Sequence, residues 1–265
     1  MKMMKRPLTQ FGYACLSMTM TILASLPFNA TSQSIITDRP DRTESSASVP
    51  KGALQIESGM LIGFEEGQNG RRTRIEAPAT LFRLGIVKGL EIRVVNRLTT
   101  IQYTERQIQG INDPELGVKL ELWKPENRST QIAFLSHVTI PLGTEDLTNN
   151  SYGTINKLAI THAISDRFDI GGNVGYDYFG EGVGIFTYSL ALGHAVTDKM
   201  SIYIEPFGEV PEFETSRSGV NAGVTYLISD HLQVDFAFGT GTDHQMNYLT
   251  LGISWLTGQN EKSPE

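Results

Sequence analysis

The stretch TDKMSIYIE, residues 197–205, joins a short polar turn to a strict alternation of side chains. In an extended chain the alternation produces two unlike faces, with Met200, Ile202 and Ile204 on one and Ser201, Tyr203 and Glu205 on the other. A period of two is the pattern of a β-strand that has one apolar and one polar face. The stretch therefore predicts a turn followed by a two-faced strand.

The same unit recurs along the chain. Ser165-Asp166-Arg167-Phe168 lies 32 residues before this turn, and Ser229-Asp230-His231-Leu232 lies 32 residues after it. Val87-Lys88-Gly89-Leu90 is a looser fourth copy. Each copy precedes an alternating strand, which predicts a series of hairpins with tight turns.

Alternation and turns together predict twelve strands. They are placed near residues 53–64, 73–85, 90–100, 114–123, 130–140, 154–164, 168–178, 183–196, 200–210, 219–228, 232–239 and 247–256. The connections opposite the tight turns are longer and polar: Glu65–Arg72, Gln102–Asp113, Pro141–Gly153, Pro211–Ser218 and Gly239–Gln245. Short turns on one side and long loops on the other are typical of an outer-membrane barrel, and an even strand count puts both chain ends at the periplasm.

The predicted fold class is thus all-β, a single transmembrane antiparallel barrel preceded by a signal peptide. Aromatic residues near strand ends suit the two interfacial girdles of such a barrel: Phe64, Trp123, Phe168, Tyr178, Phe186, Tyr226, Tyr248 and Trp255. The alternative is a soluble β-sandwich, which also uses alternating strands. Charged residues and glycines on the second face of nearly every strand favour the barrel.

The N-terminus predicts export. Residues 1–32 hold three Lys/Arg and no Asp/Glu, then an apolar run and small residues, which is the pattern of a signal peptide cleaved after Ser32. Its removal changes the net charge of the 265-residue chain from −7 to −10 and removes Cys15, the only cysteine. An acidic chain without a basic face argues against a nucleic-acid partner.

Three motifs resemble one known family. They are TDRPDRTES (residues 37–45) with VPKG (49–52) and QIESG (55–59), then LGIVKGLEIR (84–93), then VTIPLG (138–143). Together they resemble the outer-membrane family of meta-pathway phenol-degradation transporters, over about residues 37–255. The resemblance implies an outer-membrane channel or uptake protein and, through the family name, aromatic substrates.

The segment at 33–52 is polar, charged and too short to fold alone. Two interpretations are open: a flexible leader, or a lumen plug in which Asp38, Arg39, Asp41, Arg42 and Glu44 pair with charges on the barrel wall, since buried charges need such partners. The barrel itself is assigned to residues 53–256, and residues 257–265 are a polar tail.

Charged residues on the polar faces of the strands are candidates for the lumen. The expected selectivity residues are Glu57, Glu76, Arg83, Glu91, Arg93, Lys119, Glu121, Glu205, Glu209 and Asp235. They either fill a small barrel as paired groups or line a water-filled path that favours cations or neutral polar solutes. No cofactor and no metal site is predicted.

The function expected from these features is passive passage of small solutes, with lipid outside and solute inside as the partners. A structural barrel or a surface receptor is the competing class. A barrel lipase is the third, because serine and histidine occur together in the strands as Ser136, His137, His162, Ser189 and His194. No nucleophile motif such as G-x-S-x-G supports it. The oligomeric state stays open.

Overall fold

The computed structural model describes residues 34–67, 70–126, 129–180 and 182–257. The predicted signal peptide lies outside the described residues. The strands of the described chain are β1 (Leu54–Gly67), β2 (Gly70–Val87), β3 (Leu90–Gln102), β4 (Gln107–Ile111), β5 (Glu115–Trp123), β6 (Thr130–Thr139), β7 (Gly153–Ala163), β8 (Phe168–Tyr178), β9 (Ile185–Ala195), β10 (Met200–Pro211), β11 (Arg217–Ser229), β12 (Leu232–Gly241) and β13 (Met246–Thr257). Among these residues no helix is both long enough and apolar enough to cross a membrane.

Twelve of the strands close into an antiparallel barrel. Each strand pairs with the next along the chain, except that β4 is bypassed and β3 pairs with β5. The barrel closes where β1 pairs with β13, in a register that sets Glu57 opposite Ser254. Closure leaves every wall strand with two neighbours, which satisfies the backbone hydrogen bonds that lipid cannot supply. The predicted twelve-stranded barrel is confirmed.

The two faces of each strand differ as the alternation predicts. On β5, Leu116 and Leu122 are 50% and 54% exposed on the outside, whereas Lys119 is fully buried on the inside. The exposed apolar side chains are those that lipid covers in a membrane barrel. The inner face is polar and buried without a conventional hydrophobic core, because the lumen is narrow enough for its side chains to meet.

The tight turns that join β2 to β3, β7 to β8, β9 to β10 and β11 to β12 lie at one end of the barrel, which is the periplasmic end of an outer-membrane barrel. The turn between β2 and β3 places Gly89 at φ +83°, a left-handed conformation that a side chain would strain. The opposite, extracellular end carries the longer connections, apart from the short one between Gly67 of β1 and Gly70 of β2. There β4 adds to the outer part of β3, in register from Leu98↔Ile111 to Gln102↔Gln107.

Three details differ from the sequence-based expectations. Residues Gln102–Asp113 contain β4 rather than forming only a loop. The loop predicted at Glu65–Arg72 is largely strand, because β1 runs to Gly67 and β2 begins at Gly70. Tyr248 is not a girdle residue: it is 5% exposed and its hydroxyl accepts a hydrogen bond from Asn221 inside the lumen. Thr250 lies two residues further along β13, on the same face, and is also buried. The alternation of the strand therefore already assigns Tyr248 to the lumen.

Candidate functional site

The N-terminal segment, here residues 34–52, enters and leaves the barrel at the periplasmic end. Its first part is fixed where the Ile35 N–H donates to the carbonyl of Asp230, 2.7 Å away in a tight turn. Its last part is fixed where the Gly52 N–H donates to the carbonyl of Gly85. A small apolar cluster of Ile35, Val49, Ala53 and Leu256 packs the two anchors together. The residues between them therefore form a loop that reaches up into the lumen.

On one side of the lumen the segment meets a basic cluster formed by Arg83, Arg93 and Lys119. The Asp38 carboxylate lies 2.7 Å from the Arg93 guanidinium, 2.8 Å from Lys119 Nζ and 3.3 Å from the Arg83 guanidinium. All three cations are at most 1% exposed. Asp38 is therefore the hub of a buried ion-pair network, in which each member depends on its partners for solvation.

Two wall glutamates complete this network and also bind the segment backbone. Glu57 and Glu91 each lie 2.9 Å from Arg83. Glu57 accepts a hydrogen bond from the Asp38 N–H, and Glu91 accepts one of 2.6 Å from the Val49 N–H. The wall thus holds both the incoming and the outgoing limb of the segment.

On the other side of the lumen the segment supplies the positive charge. The Arg39 guanidinium lies 3.1 Å from Asp235 and donates to the Thr250 hydroxyl. Gly59 and Gly252 are paired across β1 and β13, and a Cβ at either position would collide with this guanidinium. The two glycines make room for Arg39 to reach its partner.

The apex of the segment lies against β10. Both the Arg42 N–H and the Thr43 hydroxyl donate to the Glu205 carboxylate, at 3.0 and 2.6 Å. The Arg42 guanidinium stacks over the ring of Phe207, 4.1 Å from its centroid, and lies 5.5 Å from that of Tyr248. This geometry is a cation–π contact, and its strength is modest because Arg42 is exposed.

Glu44, the next residue of the segment, contacts the basic side of the lumen again. The Glu44 carboxylate lies 2.5 Å from Arg93 and 3.4 Å from Lys157, and the Glu44 N–H donates to Asn173. Further along, the N–H and hydroxyl of Ser48 donate to Glu121. Residues 42–44 therefore span the lumen from Glu205 to Arg93.

The wall charges are segregated around the barrel. Among the described residues the lumen-facing lysines and arginines lie on β2–β7, and β8–β13 carry lumen-facing acids without a base below Arg217 at the extracellular rim. The segment has the opposite arrangement, since it turns Asp38 and Glu44 to the basic side and Arg39 to the acidic side. Segment and wall are electrostatically complementary.

The carboxylates of the segment respond to these surroundings in opposite ways. Burial alone would raise the pKa of Asp38, but Arg83, Lys119 and Arg93 outweigh it and hold that pKa well below its usual value. Burial opposes Arg93 and Lys157 in the same way at Glu44, whose pKa is lowered. At Asp41 burial and the neighbouring Glu205 both raise the pKa well above its usual value. Asp41 is thus the carboxylate whose charge opposes the docked segment.

A cavity of about 360 Å³ lies on the extracellular side of the apex. Its floor is the segment itself, and its walls combine apolar and charged side chains from both sides of the barrel: Asp38, Asp41, Arg42, Glu44, Leu81, Arg93, Val95, Arg97, Glu115, His137, Ile155, Lys157, Asn173, Asp177, Thr187, Tyr188, Ser189, Phe207, Gly208 and Glu209. The volume is in the range of small-molecule sites. We call it the extracellular chamber.

The residues predicted to line the lumen fall into two groups. Eight contact the segment: Glu57, Arg83, Glu91, Arg93, Lys119, Glu121, Glu205 and Asp235. The other two lie higher: Glu76 pairs with Arg74, and Glu209 faces the extracellular chamber 3.6 Å from Arg217. Of the five segment residues, Asp38, Arg39, Arg42 and Glu44 contact the wall as described above, whereas Asp41 borders the chamber.

Several lumen residues were missed at the level of sequence. Arg97 pairs with Glu115, which also binds His137, and His137 in turn accepts a hydrogen bond from Arg93. Lys157 binds Glu44. Arg97 and Lys157 each have a leucine on one side, Leu98 and Leu158, but an asparagine on the other, Asn96 and Asn156, so the period-two signal was weaker at these positions.

The serines and histidines considered for a lipase are engaged elsewhere. Ser136 donates to Asn156, Ser189 pairs with Thr43, and His162 pairs with Thr130. His194 stacks on Phe168, and His137 lies between Arg93 and Glu115. The hydrogen bonds of the described residues thus join none of these serines to a histidine, and the arrangement lacks the nucleophile–base contact of such an enzyme.

Comparison with solved structures finds the same fold in outer-membrane proteins. A channel from Pseudomonas putida F1 is 11% identical, with a TM-score of 0.62 over 80% of this chain and 97% of that one. The KdgM porin, in complex with disordered oligogalacturonate, is 9% identical, with a TM-score of 0.52 over 77% and 98%. The translocator domain of the autotransporter NalP from Neisseria meningitidis is 9% identical, with a TM-score of 0.51 over 95% and 98%. At these identities the likeness concerns the fold.

Sequence comparison supplies the family. None of the curated proteins is significantly similar in sequence to the chain. The family model described as "Putative MetA-pathway of phenol degradation" matches residues 37–255, from the start of the TDRP motif in the segment to the last strand of the barrel. This match covers most of the sequence and includes all three motifs noted above. The protein is therefore an outer-membrane β-barrel that belongs to this phenol-degradation family.

Proposed function

We propose that the protein is a passive outer-membrane channel for small solutes, and that the N-terminal segment closes the periplasmic half of its lumen. One observation carries the second part. Among the described residues, hydrogen bonds or ion pairs from the segment reach ten of the twelve wall strands, β1, β2, β3, β5, β7, β8, β9, β10, β12 and β13. A segment that contacts the wall almost all round the barrel obstructs the path through it.

Passage then requires that the segment leave the lumen. Both of its anchors lie at the periplasmic end, so the loop between them can withdraw in that direction without threading through the barrel. The contacts that hold it are mostly charged, and they exchange for water on withdrawal. The free-energy difference between the closed and the open lumen is therefore a small balance between the attraction of the buried ion pairs and the cost of removing their charges from water.

The lumen acids support a cation preference in the open state. With the segment withdrawn, Glu205 and Asp235 lose the donors and the cation that the segment brings, and no wall lysine or arginine of β8–β13 lies near them below the extracellular rim. Rings or patches of carboxylates favour cations in pores. We expect reversal potentials across a salt gradient to show cation preference, and a clear anion preference would contradict this part of the proposal.

Aromatic compounds are the first solutes to test, because the family description names phenol degradation. The lumen offers both polar groups and a ring to such molecules, since Phe207 borders the chamber beside Glu209. Swelling of liposomes that contain the protein, with sugars, amino acids and phenols as solutes, measures which of them pass. Failure of every solute with the segment released would favour a surface receptor or a structural barrel.

The decisive experiment locks the segment in place. Thr43 Oγ1 and Ser189 Oγ lie 2.7 Å apart, and the described residues contain no cysteine, so the pair Thr43→Cys and Ser189→Cys offers a single engineered disulfide. We expect low conductance in planar bilayers when the variant is oxidised and higher conductance when it is reduced. Thr43→Cys alone is the control and should not respond to reductant.

Deletion of residues 35–48 is the complementary test. It removes the contacts at Asp38, Arg39, Arg42 and Glu44 together, and we expect a larger and steadier conductance than that of the full chain. Unchanged conductance in the deletion, together with unchanged conductance of the oxidised disulfide variant, would show that the segment does not close the lumen.

A further inference from the structure

One carboxylate of the docked segment, that of Glu44, faces the extracellular chamber while it binds two cations of the wall. It lies 2.5 Å from the Arg93 guanidinium and 3.4 Å from Lys157 Nζ, and all three residues border the chamber. The Glu44 side chain is 17% exposed, whereas that of Asp38 is only 3% exposed. Of these two segment carboxylates, Glu44 is therefore the more accessible to a molecule in the chamber.

The charges that line the chamber restrict how an anion is able to bind there. The lining includes six carboxylates but only three arginines and one lysine, so an additional anion meets an excess of negative charge. An anion that replaces Glu44 leaves the number of charges unchanged. The contact between Glu44 and Lys157 is long for a charged hydrogen bond, so little is lost when another carboxylate takes over this position.

The two cations come from strands that are a quarter of the barrel apart. Arg93 belongs to β3 and Lys157 to β7, and β5 and β6 lie between these strands in the ring of twelve. The single carboxylate of Glu44 nevertheless reaches both cations. The gap between Arg93 and Lys157 is thus the size of one carboxylate group.

An apolar residue lies on the extracellular side of each cation. Val95 follows Arg93 by two residues on β3, which runs outward, and Ile155 precedes Lys157 by two residues on β7, which runs inward. Residues two apart share a strand face and are separated by about 7 Å. Leu81, which is paired with Val95, also borders the chamber. A carboxylate in the position of Glu44 therefore leaves the rest of its molecule against an aliphatic surface.

We propose that the extracellular chamber receives small monocarboxylates with an apolar body, and that their carboxylate replaces Glu44 between Arg93 and Lys157. This inference rests on the proposed channel function, and it names the class of solute and the event that releases the segment. A solute that binds only where Glu44 has left favours the withdrawn segment, because a ligand shifts an equilibrium toward the state that it binds more tightly. The acids expected to favour inorganic cations, Glu205 and Asp235, lie on β10 and β12, so the two preferences concern different parts of the wall.

Three probes with the same branched carbon skeleton separate the effect of charge. At pH 7, 3-methylbutanoate is an anion, 3-methylbutan-1-ol is neutral and 3-methylbutylamine is a cation. Their binding to the full chain in detergent micelles is measured by isothermal titration calorimetry. We expect the carboxylate to bind about tenfold more tightly than either of the others, the scale of a charged hydrogen bond. Equal affinity for the three probes, or a preference for the amine, would overturn the proposal.

Two variants are expected to change the affinity for 3-methylbutanoate in opposite directions. Lys157→Gln removes a cation from the site and should weaken binding about fivefold, the upper range for a partly exposed charge pair. Glu44→Gln removes the competing carboxylate and should strengthen binding by a similar factor, because the native site is free for only part of the time. Loss of a merely structural contact would act in the same direction in both variants, and that result would contradict the competition.

Two further variants test the sign of the ligand and the position of the site. Asp177 lies opposite Ile155 in the pairing of β7 with β8, so Asp177→Asn should strengthen 3-methylbutanoate and weaken 3-methylbutylamine, each about twofold. Lys124→Gln is the matched control for Lys157→Gln, because Lys124 pairs with Glu121 at the periplasmic end and does not border the chamber. It should change none of the affinities. Equal weakening of 3-methylbutanoate in the two lysine variants would show that the site is not at Lys157.

The outcome is separable from that of the channel proposal, because the calorimetry does not require the lumen to conduct. If the deletion of residues 35–48 raises conductance but the affinities do not depend on Lys157 and Glu44, the channel stands and the carboxylate site is wrong. If the affinities depend on both residues but neither the deletion nor the oxidised disulfide variant changes conductance, the site stands and closure by the segment is wrong.

The release of the segment has its own readout. In planar bilayers, 3-methylbutanoate on the extracellular side should raise the fraction of open time of the native chain, and 3-methylbutan-1-ol should not. Glu44→Gln should reach half of this effect at a lower concentration of the carboxylate. An unchanged fraction of open time at a concentration that saturates the site would contradict release of the segment by the solute.

Discussion

The periplasmic and extracellular halves of this lumen are built from the same strands and carry similar charges, yet one is filled and the other is open. Arg93 and Arg97 lie on one strand, and Glu205 and Glu209 on the strand opposite. Arg93 is 1% exposed and Glu205 is fully buried, because the N-terminal segment lies between them. Arg97 and Glu209 border a cavity. The difference shows that the wall supplies a charge pattern and that its occupant decides whether the pattern closes the lumen or faces solute.

The largest difference between the two halves of the lumen is expected when Arg93 is replaced. Arg93→Met leaves the carboxylates of Asp38, Glu44 and Glu91 without one of their cations, and loss of one partner of a buried pair costs about 3–5 kcal/mol. We expect hydrogen exchange at the segment amides to accelerate by more than about a hundredfold and the channel conductance to rise. Arg97→Met, four residues higher, is the matched control. Equal acceleration in the two variants would contradict the division of the lumen into two halves.

Replacement of Glu205, on the acidic side of the lumen, is expected to have the next largest effect on docking of the segment. Its carboxylate accepts hydrogen bonds from the Arg42 N–H, the Thr43 hydroxyl and the Asn221 amide. Glu205→Gln keeps the shape but removes the charge, so we expect docking of the segment to weaken by about 2 kcal/mol, as for charged hydrogen bonds. Exchange at the Arg42 amide reports the change. Glu209→Gln should leave that exchange rate as it is, and a parallel change there would show that the halves are not independent.

The contact of Arg42 with Phe207 has a smaller effect. Arg42→Gln removes a guanidinium that lies 4.1 Å from the ring centroid, and because Arg42 is exposed we expect the cation–π pair to contribute about 0.5–1 kcal/mol. We expect a higher fraction of open time in planar bilayers. Arg106→Gln is a control of the same chemistry, because Arg106 stacks on Tyr103, 4.8 Å away, in the connection before β4. It should not change the fraction of open time.

The smallest effect is expected at Asp41, and it has the opposite sign. Burial and Glu205 raise the pKa of Asp41, so its ionisation opposes docking of the segment. The effect is small because Asp41 is only partly buried, at the edge of the chamber. Below the usual carboxyl pKa of about 3.9, Asp41 is protonated in both the docked and the released segment, so it does not change the free energy of docking. Above it the released segment ionises more readily than the docked one, which favours opening.

Asp41→Asn should lower the fraction of open time of the channel at pH 7, and the difference from the native chain should shrink as the pH approaches 4. The pKa of Asp38 is held well below its usual value, so its ion pairs persist over that range and do not confuse the comparison. A difference that is larger at pH 4 than at pH 7 would contradict the assignment.

Much of the architecture was predictable from local pattern. Alternation on β5, with Leu116 and Leu122 outside and Lys119 inside, is visible in the residues themselves, because side chains of a strand alternate between faces. The tight turns at 32-residue spacing fixed the hairpins. The same pattern placed eight charged residues on the inner face where they meet the segment. Tyr248 was misplaced because its type suggested a membrane girdle while its position in the alternation indicated the lumen.

The pairings inside the lumen were beyond local pattern. Arg39 and Asp235 are 196 residues apart, and Arg42 lies 163 residues from Glu205. Alternation states which face a side chain occupies, but it does not state which strand lies opposite or how far up the lumen a neighbour lies. The extension of β1 to Gly67 was missed for a related reason, since the polar outer ends of strands resemble loops in composition.

The sequence by itself determined a two-faced, closed sheet with an acidic interior, because backbone pairing and the period of a strand leave few other arrangements for such a pattern. Only the tertiary structure decided how that interior is used. Closing the barrel set the bases of β2–β7 opposite the acids of β8–β13, and the segment entered with complementary charges. The physical reason is that ion pairs in a lumen depend on distances across it, and those distances exist only once the barrel has closed.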